Sequence, residues 1–203
     1  MSETRQYQTA EQRRDRAVAA VVELSATENP AGLTTARIAR RMRLSEGALF
    51  RHFPNKDALW EAVAGWVAGQ LTQRVAAVAD EAPDPLAGLE AMFLAHIDFI
   101  AHHPGVPRLM LGELQKPAGS RARKLIEWAM GEYRERVQRL LRAGMEQGRV
   151  RADLDPAAAA VLYLGAVQGL VVQSLVAGDM QAAVHAAPGV FRIFRNGIVE
   201  REA

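Results

Sequence analysis

Arg51 is the one charged side chain on a short stretch whose neighbouring outward positions, Gly47 and Ala48, are small. At about 100° per residue, Leu49, Phe53 and Ser45 fall on the opposite side and Phe50 on the flank. A guanidinium carries paired N–H donors that match guanine O6 and N7, and small residues let a helix backbone come close to base edges. Lys56 falls in the first turn of the next predicted helix, where a cation opposes the helix dipole, so a phosphate lying at that helix start is the natural reason for it. From Arg37 to Lys56 the chain holds Arg37, Arg40, Arg41, Arg43, Arg51 and Lys56 against Glu46 alone, in a molecule whose net charge is only +2. The positive charge is local, and its chemistry is recognition of duplex nucleic acid.

Three helix-start signals position these groups. Thr34 lies between Leu33 and the run Thr35-Ala36-Arg37-Ile38-Ala39, so its hydroxyl can cap a helix while Leu33 folds back on Ile38. Ser45 repeats the arrangement with Leu44 and Leu49, which predicts a second short helix from Glu46 to about Phe53. Asn55 follows Pro54 and caps a third. Met42-Arg43-Leu44 is a turn of the length used between the two helices of a helix-turn-helix. An earlier helix is expected from about Thr9 to Glu28, entered through the polar run Met1–Arg16, which lacks the apolar core of a secretory signal and reads as a basic arm.

The stretch from Leu33 to Ala39, followed by Leu44-Ser45-Glu46-Gly47-Ala48-Leu49-Phe50-Arg51-His52-Phe53-Pro54-Asn55-Lys56-Asp57-Ala58-Leu59, resembles the DNA-binding motif of TetR-type transcriptional regulators. The resemblance covers about the first third of the chain; beyond it, only length and helical character are similar. It implies an all-α homodimer in which three N-terminal helices bind DNA and a C-terminal helical body binds a small effector. Carried over by position, it implies phosphate or base contacts at Thr35, Ser45, Arg51, His52 and Lys56. With the residues around them, the candidate DNA-binding set is Thr34, Thr35, Arg43, Ser45, Glu46, Gly47, Ala48, Phe50, Arg51, His52 and Lys56. Glu46 can favour the helix start by its charge or read a base, and His52 can pack or touch phosphate. Two positions depart from the family. Arg43 stands where glycine is common, which asks a non-glycine residue to adopt a left-handed conformation, and Phe50 stands where tyrosine is usual, which removes a hydroxyl contact to phosphate. The motif is also similar, around Thr34-Thr35-Ala36 and Arg51-His52-Phe53-Pro54, to a branch of the same fold that acts as a nucleoid-associated inhibitor of cell division.

The chain has 203 residues, enough for one or two domains with a real core, and no cysteine, which excludes disulfides, thiolate catalysis and cysteine zinc sites. The rest reads as helices, so the expected division is a helix-turn-helix domain over residues 1–55 and an effector-binding and dimerisation domain over 56–203. A long helix from Ala58 to about Ala79 links them. Leu86, Leu89, Phe93, Ile97 and Ile100 mark the next; a shorter piece spans Val106 to Gln115; and Ile126, Met130, Tyr133, Val137, Leu140, Leu141 and Gly144 stripe a long one whose wet side can pair Glu132 with Arg136 and Glu135 with Arg139.

Pro156 to Gly178 carries no charge, yet Gln168, Gln173 and Ser174 interrupt it and no aromatic belt flanks it, so it reads as a covered helix and not a membrane span. Gly165 and Gly169 align on one face and let another helix approach closely. The expected cover is the same helix of a second copy, with a last helix around Val190 to Val199, and the candidate dimer-interface set is Gly165, Gly169, Val172, Val190 and Phe194. Large or polar residues on apolar body helices, namely Trp66, Met92, His96, Phe99, Met110, Trp128 and Tyr163, are candidate effector contacts, suited to a hydrophobic or aromatic small molecule. His96, His102 and His103 lack the acid, nucleophile or cysteine partners of an enzyme or metal site, so no catalytic residue, metal or cofactor is expected. The expected partners are double-stranded DNA, a second copy and a small effector, with no membrane, in the cytoplasm at the nucleoid.

Overall fold

The structure is a computed structural model that describes residues 9–116 and 119–200. Among the described residues it consists of α-helices joined by turns, with a single 3-10 turn at Pro30–Gly32 and one isolated bridge between Val150 and Val199. The helices are α1 (Ala10–Thr27), α2 (Thr35–Arg41), α3 (Glu46–Phe50), α4 (Lys56–Asp80), α5 (Pro85–His102), α6 (Gly105–Leu114), α7 (Arg121–Glu146), α8 (Pro156–Ala177) and α9 (Gln181–Ile198). The chain folds as two compact units, Met1–Val67 with His103–Ile126, and Ala68–His102 with Glu127–Ala203.

In the first unit a capping box sets the start of α1: the Gln12 N–H donates to Thr9 Oγ1 (3.2 Å) and the Thr9 N–H donates to Gln12 Oε1 (3.0 Å). Ala10–Arg16 therefore belong to a helix and not to a loose arm; Met1–Gln8 lie outside the described residues. Packing of α1 against α6 depends on Gly105, where an added Cβ would lie 2.1 Å from the Val22 carbonyl oxygen and 2.9 Å from the Ala26 nitrogen. Leu33, Ile38, Leu49, Phe53 and Leu59 are buried and bring α2, α3 and the start of α4 onto this base. The α3 helix stops at Phe50, earlier than the expected Phe53. His52 N–H closes onto Leu49 O (2.9 Å) in a tighter i→i−3 turn, just ahead of Pro54, which disfavours helical backbone before it.

The second unit packs α5, α8 and α9 with most of α7 around an aromatic core. Asp84 starts α5 by accepting from the N–H groups of Leu86 (2.9 Å) and Ala87 (3.0 Å), and the Ala87 bond above all holds its carboxyl below the usual value. Gly144 admits Val150, whose Cγ2 would lie 2.7 Å from an added Cβ. Arg139 reaches Glu135 (3.9 Å), but Arg136 turns to Asp80 (2.9 Å) and not to the expected Glu132. The last helix is longer than the expected 190–199: the buried series Ala183, Ala187, Phe191, Phe194 and Ile198 runs through Pro188, which sits on the exposed side, and Asp179 Oδ1 accepts the Gln181 N–H (2.9 Å) at the helix start. The α8 helix is long and apolar enough to cross a bilayer, yet Ala160, Tyr163 and Val167 on it are core residues of this unit.

Candidate nucleic-acid interface

The caps read from sequence form as hydrogen bonds. Thr34 Oγ1 accepts the Arg37 N–H (3.1 Å), Ser45 Oγ accepts the Ala48 N–H (3.2 Å) and Asn55 Oδ1 accepts the Ala58 N–H (2.8 Å). Between the first two, Arg43 adopts φ 58°, the left-handed conformation that glycine would take without strain. Strain of this kind costs an L-residue about 1–2 kcal/mol. This turn places the exposed Arg43 at the corner between α2 and α3.

On α3 the exposed residues are Glu46, Gly47, Phe50 and, at the C-cap, Arg51. Ala48 is buried with Leu49, which corrects its expected place on the outward face: over a helix of only five residues, the inward arc takes both. Phe50, on the flank of the helix, is 41% exposed. A Cβ at Gly47 would meet no atom within 4 Å among the described residues, so no packing among them requires glycine there. Glu46 accepts a hydrogen bond from the Thr35 hydroxyl, which ties the starts of α2 and α3 together. His52 is half-buried and its carbonyl accepts from Arg14 Nη1 (3.1 Å).

The cations divide into two groups. Arg37 bonds Glu28 (2.7 Å) and Arg41 bonds Glu23 (2.6 Å), so α1 and its C-terminal cap neutralise two of the six positive groups counted along the motif. Arg40, Arg43 and Arg51 have no carboxylate within ion-pair distance among the described residues and keep the field of the face. Lys56 sits 5.4 Å from the centre of the Trp60 ring, which offsets its unfavourable place at a helix start without an outside anion. Sequence reasoning missed this ring and also Arg14 and Arg16. Arg14 lies over the Phe53 ring (4.8 Å), and Arg16 Nη2 donates to the Met42 carbonyl (3.3 Å), so both brace the motif from α1. The signal available in the sequence is Arg14 and Arg16 at the start of α1.

The candidate effector residues do not gather in one unit. Trp66, edge-on to His103 at 5.3 Å, and the half-buried Met110 belong to the first unit, while Met92, His96, Phe99, Trp128 and Tyr163 belong to the second. Met92, His96, Phe99 and Tyr163 are buried, but Trp128 is 54% exposed because it stands off the α7 stripe of Ile126, Ala129, Tyr133 and Val137. His96 lies edge-on to Tyr133 (5.4 Å), its Nδ1 has no hydrogen-bond partner among the described residues, and burial lowers its pKa to about 4. Tyr133 and Tyr163 donate to the carbonyls of Met92 (3.3 Å) and Leu89 (2.8 Å), and burial pushes both phenols up. Among the described residues, no three His, Asp or Glu side chains converge as metal ligands.

Of the candidate interface residues, Gly165 and Val172 are exposed, Gly169 and Val190 are half-buried, and Phe194 is buried against Tyr163 (5.4 Å) and so serves its own core first. Val161, Leu162 and Val176 open on α8, and Ile193 opens on α9. A groove of about 480 Å³ runs between the two helices, lined by Leu162, Ala166, Val190, Ile193 and Gly197 among others.

A profile described as bacterial regulatory proteins, tetR family, matches residues 18–63, and one described as a tetracyclin repressor-like C-terminal domain matches residues 82–172. The nucleoid occlusion factor SlmA of Idiomarina loihiensis is 29% identical over 170 residues, which cover 81% of this chain and 85% of that protein. The fatty acid degradation regulator FadR of Bacillus halodurans superposes with a TM-score of 0.80 at 19% identity, over 93% of this chain and 97% of its own. The transcriptional regulator FadR of Bacillus subtilis, solved in complex with stearoyl-CoA, superposes with a TM-score of 0.78 at 18% identity, over 91% and 98%.

Proposed function

Because the chain belongs to the TetR family of bacterial transcriptional regulators and carries its DNA-binding helix-turn-helix, we propose that it is a homodimeric repressor that binds a palindromic operator and is released by a small hydrophobic or aromatic effector. The observation that carries the DNA-reading part is the face of α3: a bare Gly47 that nothing in the fold requires, beside an exposed Arg51 without an ion-pair partner among the described residues. Arg51 reads a base edge, and Gly47 lets the backbone approach. Arg43, Lys56, Thr34, Thr35, Ser45 and His52 hold phosphates, and Phe50 contributes an apolar contact such as a thymine methyl accepts.

Dimerisation is supported by the apolar stripe Val161, Gly165, Gly169, Val172 and Val176 on α8, with Ile193 beside it. An open apolar surface of this kind calls for a partner, and a two-fold pair presents two reading heads to a palindrome. The effector reading rests on the second unit, where an unpaired His96 nitrogen in an aromatic core offers one polar contact to an otherwise apolar ligand. An apolar effector is supported by the Bacillus subtilis regulator of this fold, which was solved in complex with stearoyl-CoA. Effector and operator then oppose each other by one coupling free energy, typically about 1–3 kcal/mol. The protein acts in the cytoplasm, at the nucleoid.

A second reading is favoured by the nucleoid occlusion relative: a nucleoid-associated inhibitor of cell division. Genome-wide mapping of bound sites separates the two. A repressor occupies one or a few promoters, whereas an occlusion factor occupies many dispersed sites and co-sediments with the polymerised division protein. Dispersed binding with co-sedimentation overturns the repressor reading.

A further inference from the structure

The exposed residues of α3 share one arc: at about 100° per residue Glu46, Phe50, Gly47 and Arg51 follow one another around it, while Ala48 and Leu49 fill the buried remainder. Gly47 lies inside that arc, so the close approach it permits carries Glu46 in on one side and Arg51 on the other. The two are separated by roughly 7.5 Å along the helix axis, at about 1.5 Å per residue, or about two base steps of duplex DNA. Glu46 is exposed and is the one acid in the most cationic stretch of the chain, yet no Lys, Arg or His lies within ion-pair distance of it among the described residues, and Arg37 and Arg41 pair with Glu28 and Glu23 instead. Its contact is the Thr35 hydroxyl at the start of α2, which donates to Glu46 Oε1 and leaves Oε2 without a donor among the described residues. That hydroxyl has one proton, so any phosphate contact of Thr35 is made through its backbone N–H.

We propose that Glu46 sets sequence specificity by accepting a hydrogen bond from the N4 amino group of a cytosine in the major groove, with Thr35 as the positioning residue that orients the carboxylate. The inference rests on the assignment of α3 as the DNA-reading element. An ionised carboxylate is an acceptor only, and the phosphates repel it, so on most sequences Glu46 weakens binding. Thymine O4 and guanine O6 and N7 are acceptors and repel it too; the major-groove donors are the amino groups of cytosine and adenine. Beside adenine N6 stands the N7 acceptor, which suits an amide and opposes a carboxylate, whereas cytosine N4 has no acceptor beside it on its own base. Glu46 thus selects by exclusion as well as by attraction, at a base pair distinct from the one Arg51 reads. A role confined to the helix dipole requires no bond from Thr35 and gives no base preference.

The test is selection from a randomised duplex pool with the full-length protein and with Glu46→Ala, Glu46→Gln and Thr35→Val, followed by affinity measurements on the selected site. The native protein enriches one cytosine in each half-site, and replacing that base by pyrimidin-2-one, which lacks the amino group and still faces guanine, lowers its affinity about tenfold or more. Glu46→Ala is indifferent to that replacement and binds non-specific duplex about threefold more tightly, a gain that a folding defect cannot produce. Glu46→Gln shifts the preference from cytosine toward adenine, and Thr35→Val, which keeps the shape and loses the donor, weakens the cytosine preference. The same cytosine enriched by Glu46→Ala, native binding unchanged by loss of the amino group, or a native preference for adenine at this position overturns the proposal and leaves the DNA-reading assignment standing. Enrichment of no duplex at all overturns both.

Discussion

A methyl group added at Gly47 meets no atom within 4 Å among the described residues, so Gly47→Ala strengthens α3 by up to about 1 kcal/mol through helix propensity alone. If the same face lies against DNA, the methyl stands in the way. The expected outcome is a protein with an equal or higher melting temperature and weaker operator binding; equal binding would move the reading face elsewhere. Arg51 and Lys56 separate in kind. Arg51→Ala removes a base-edge contact and costs specific binding about 1–3 kcal/mol, whereas Lys56→Ala weakens all sequences alike and lowers the salt slope by about one per head. Competition binding at several salt concentrations distinguishes the two, and an equal loss of specificity from both would contradict the assignment. The Trp60 ring adds a nuance at this scale, because Lys56 has an intramolecular resting place as well as the expected phosphate.

At the scale of elements, the start signals were the legible part. Thr34, Ser45 and Asn55 each cap a helix through a side chain that competes for backbone N–H groups, a local effect that needs no knowledge of the fold. The left-handed turn at Arg43 was legible from the family resemblance, which has glycine at that position. Less legible were features fixed by neighbours distant in sequence. Arg37 and Arg41 pair with Glu28 at the end of α1 and Glu23 within it, and Ala48 is turned inward by a helix of only five residues. Trp128 counted as pocket lining by its size, although its angular position on α7 puts it outside the buried stripe. The close approach of α1 to α6 at Gly105 had no local signal at all.

His96 on α5 gives this scale its own test. Its folded pKa of about 4 lies below the usual 6.5, so the unfolded chain takes up a proton first as pH falls. Stability is therefore intact above about pH 6.5 and declines toward pH 4, by about 1.4 kcal/mol per unit and about 3 kcal/mol in total. Urea unfolding across this range should show that slope in the native protein and its loss in His96→Phe. The same slope in both would contradict neutral burial of the imidazole.

For the whole molecule, the open stripe of α8 and the groove beside α9 decide how many copies act together. Val176 is 85% exposed and Ile193 is 75% exposed, a poor arrangement for a lone protomer and a good one for a pair. Gly165 provides a clean probe, because a Cβ added there meets no atom within 4 Å among the described residues. Gly165→Leu should leave the folded protomer intact by circular dichroism and shift sedimentation from dimer to monomer; an unchanged dimer would contradict the interface. The central claim, that two arginine-bearing heads read duplex DNA, is tested most directly by selection from a randomised duplex pool followed by binding at increasing salt. The account predicts recovery of a two-fold symmetric site, with affinity falling linearly in log–log salt plots and lost specificity in Arg51→Ala. Failure to enrich any duplex, or binding indifferent to salt, would contradict it.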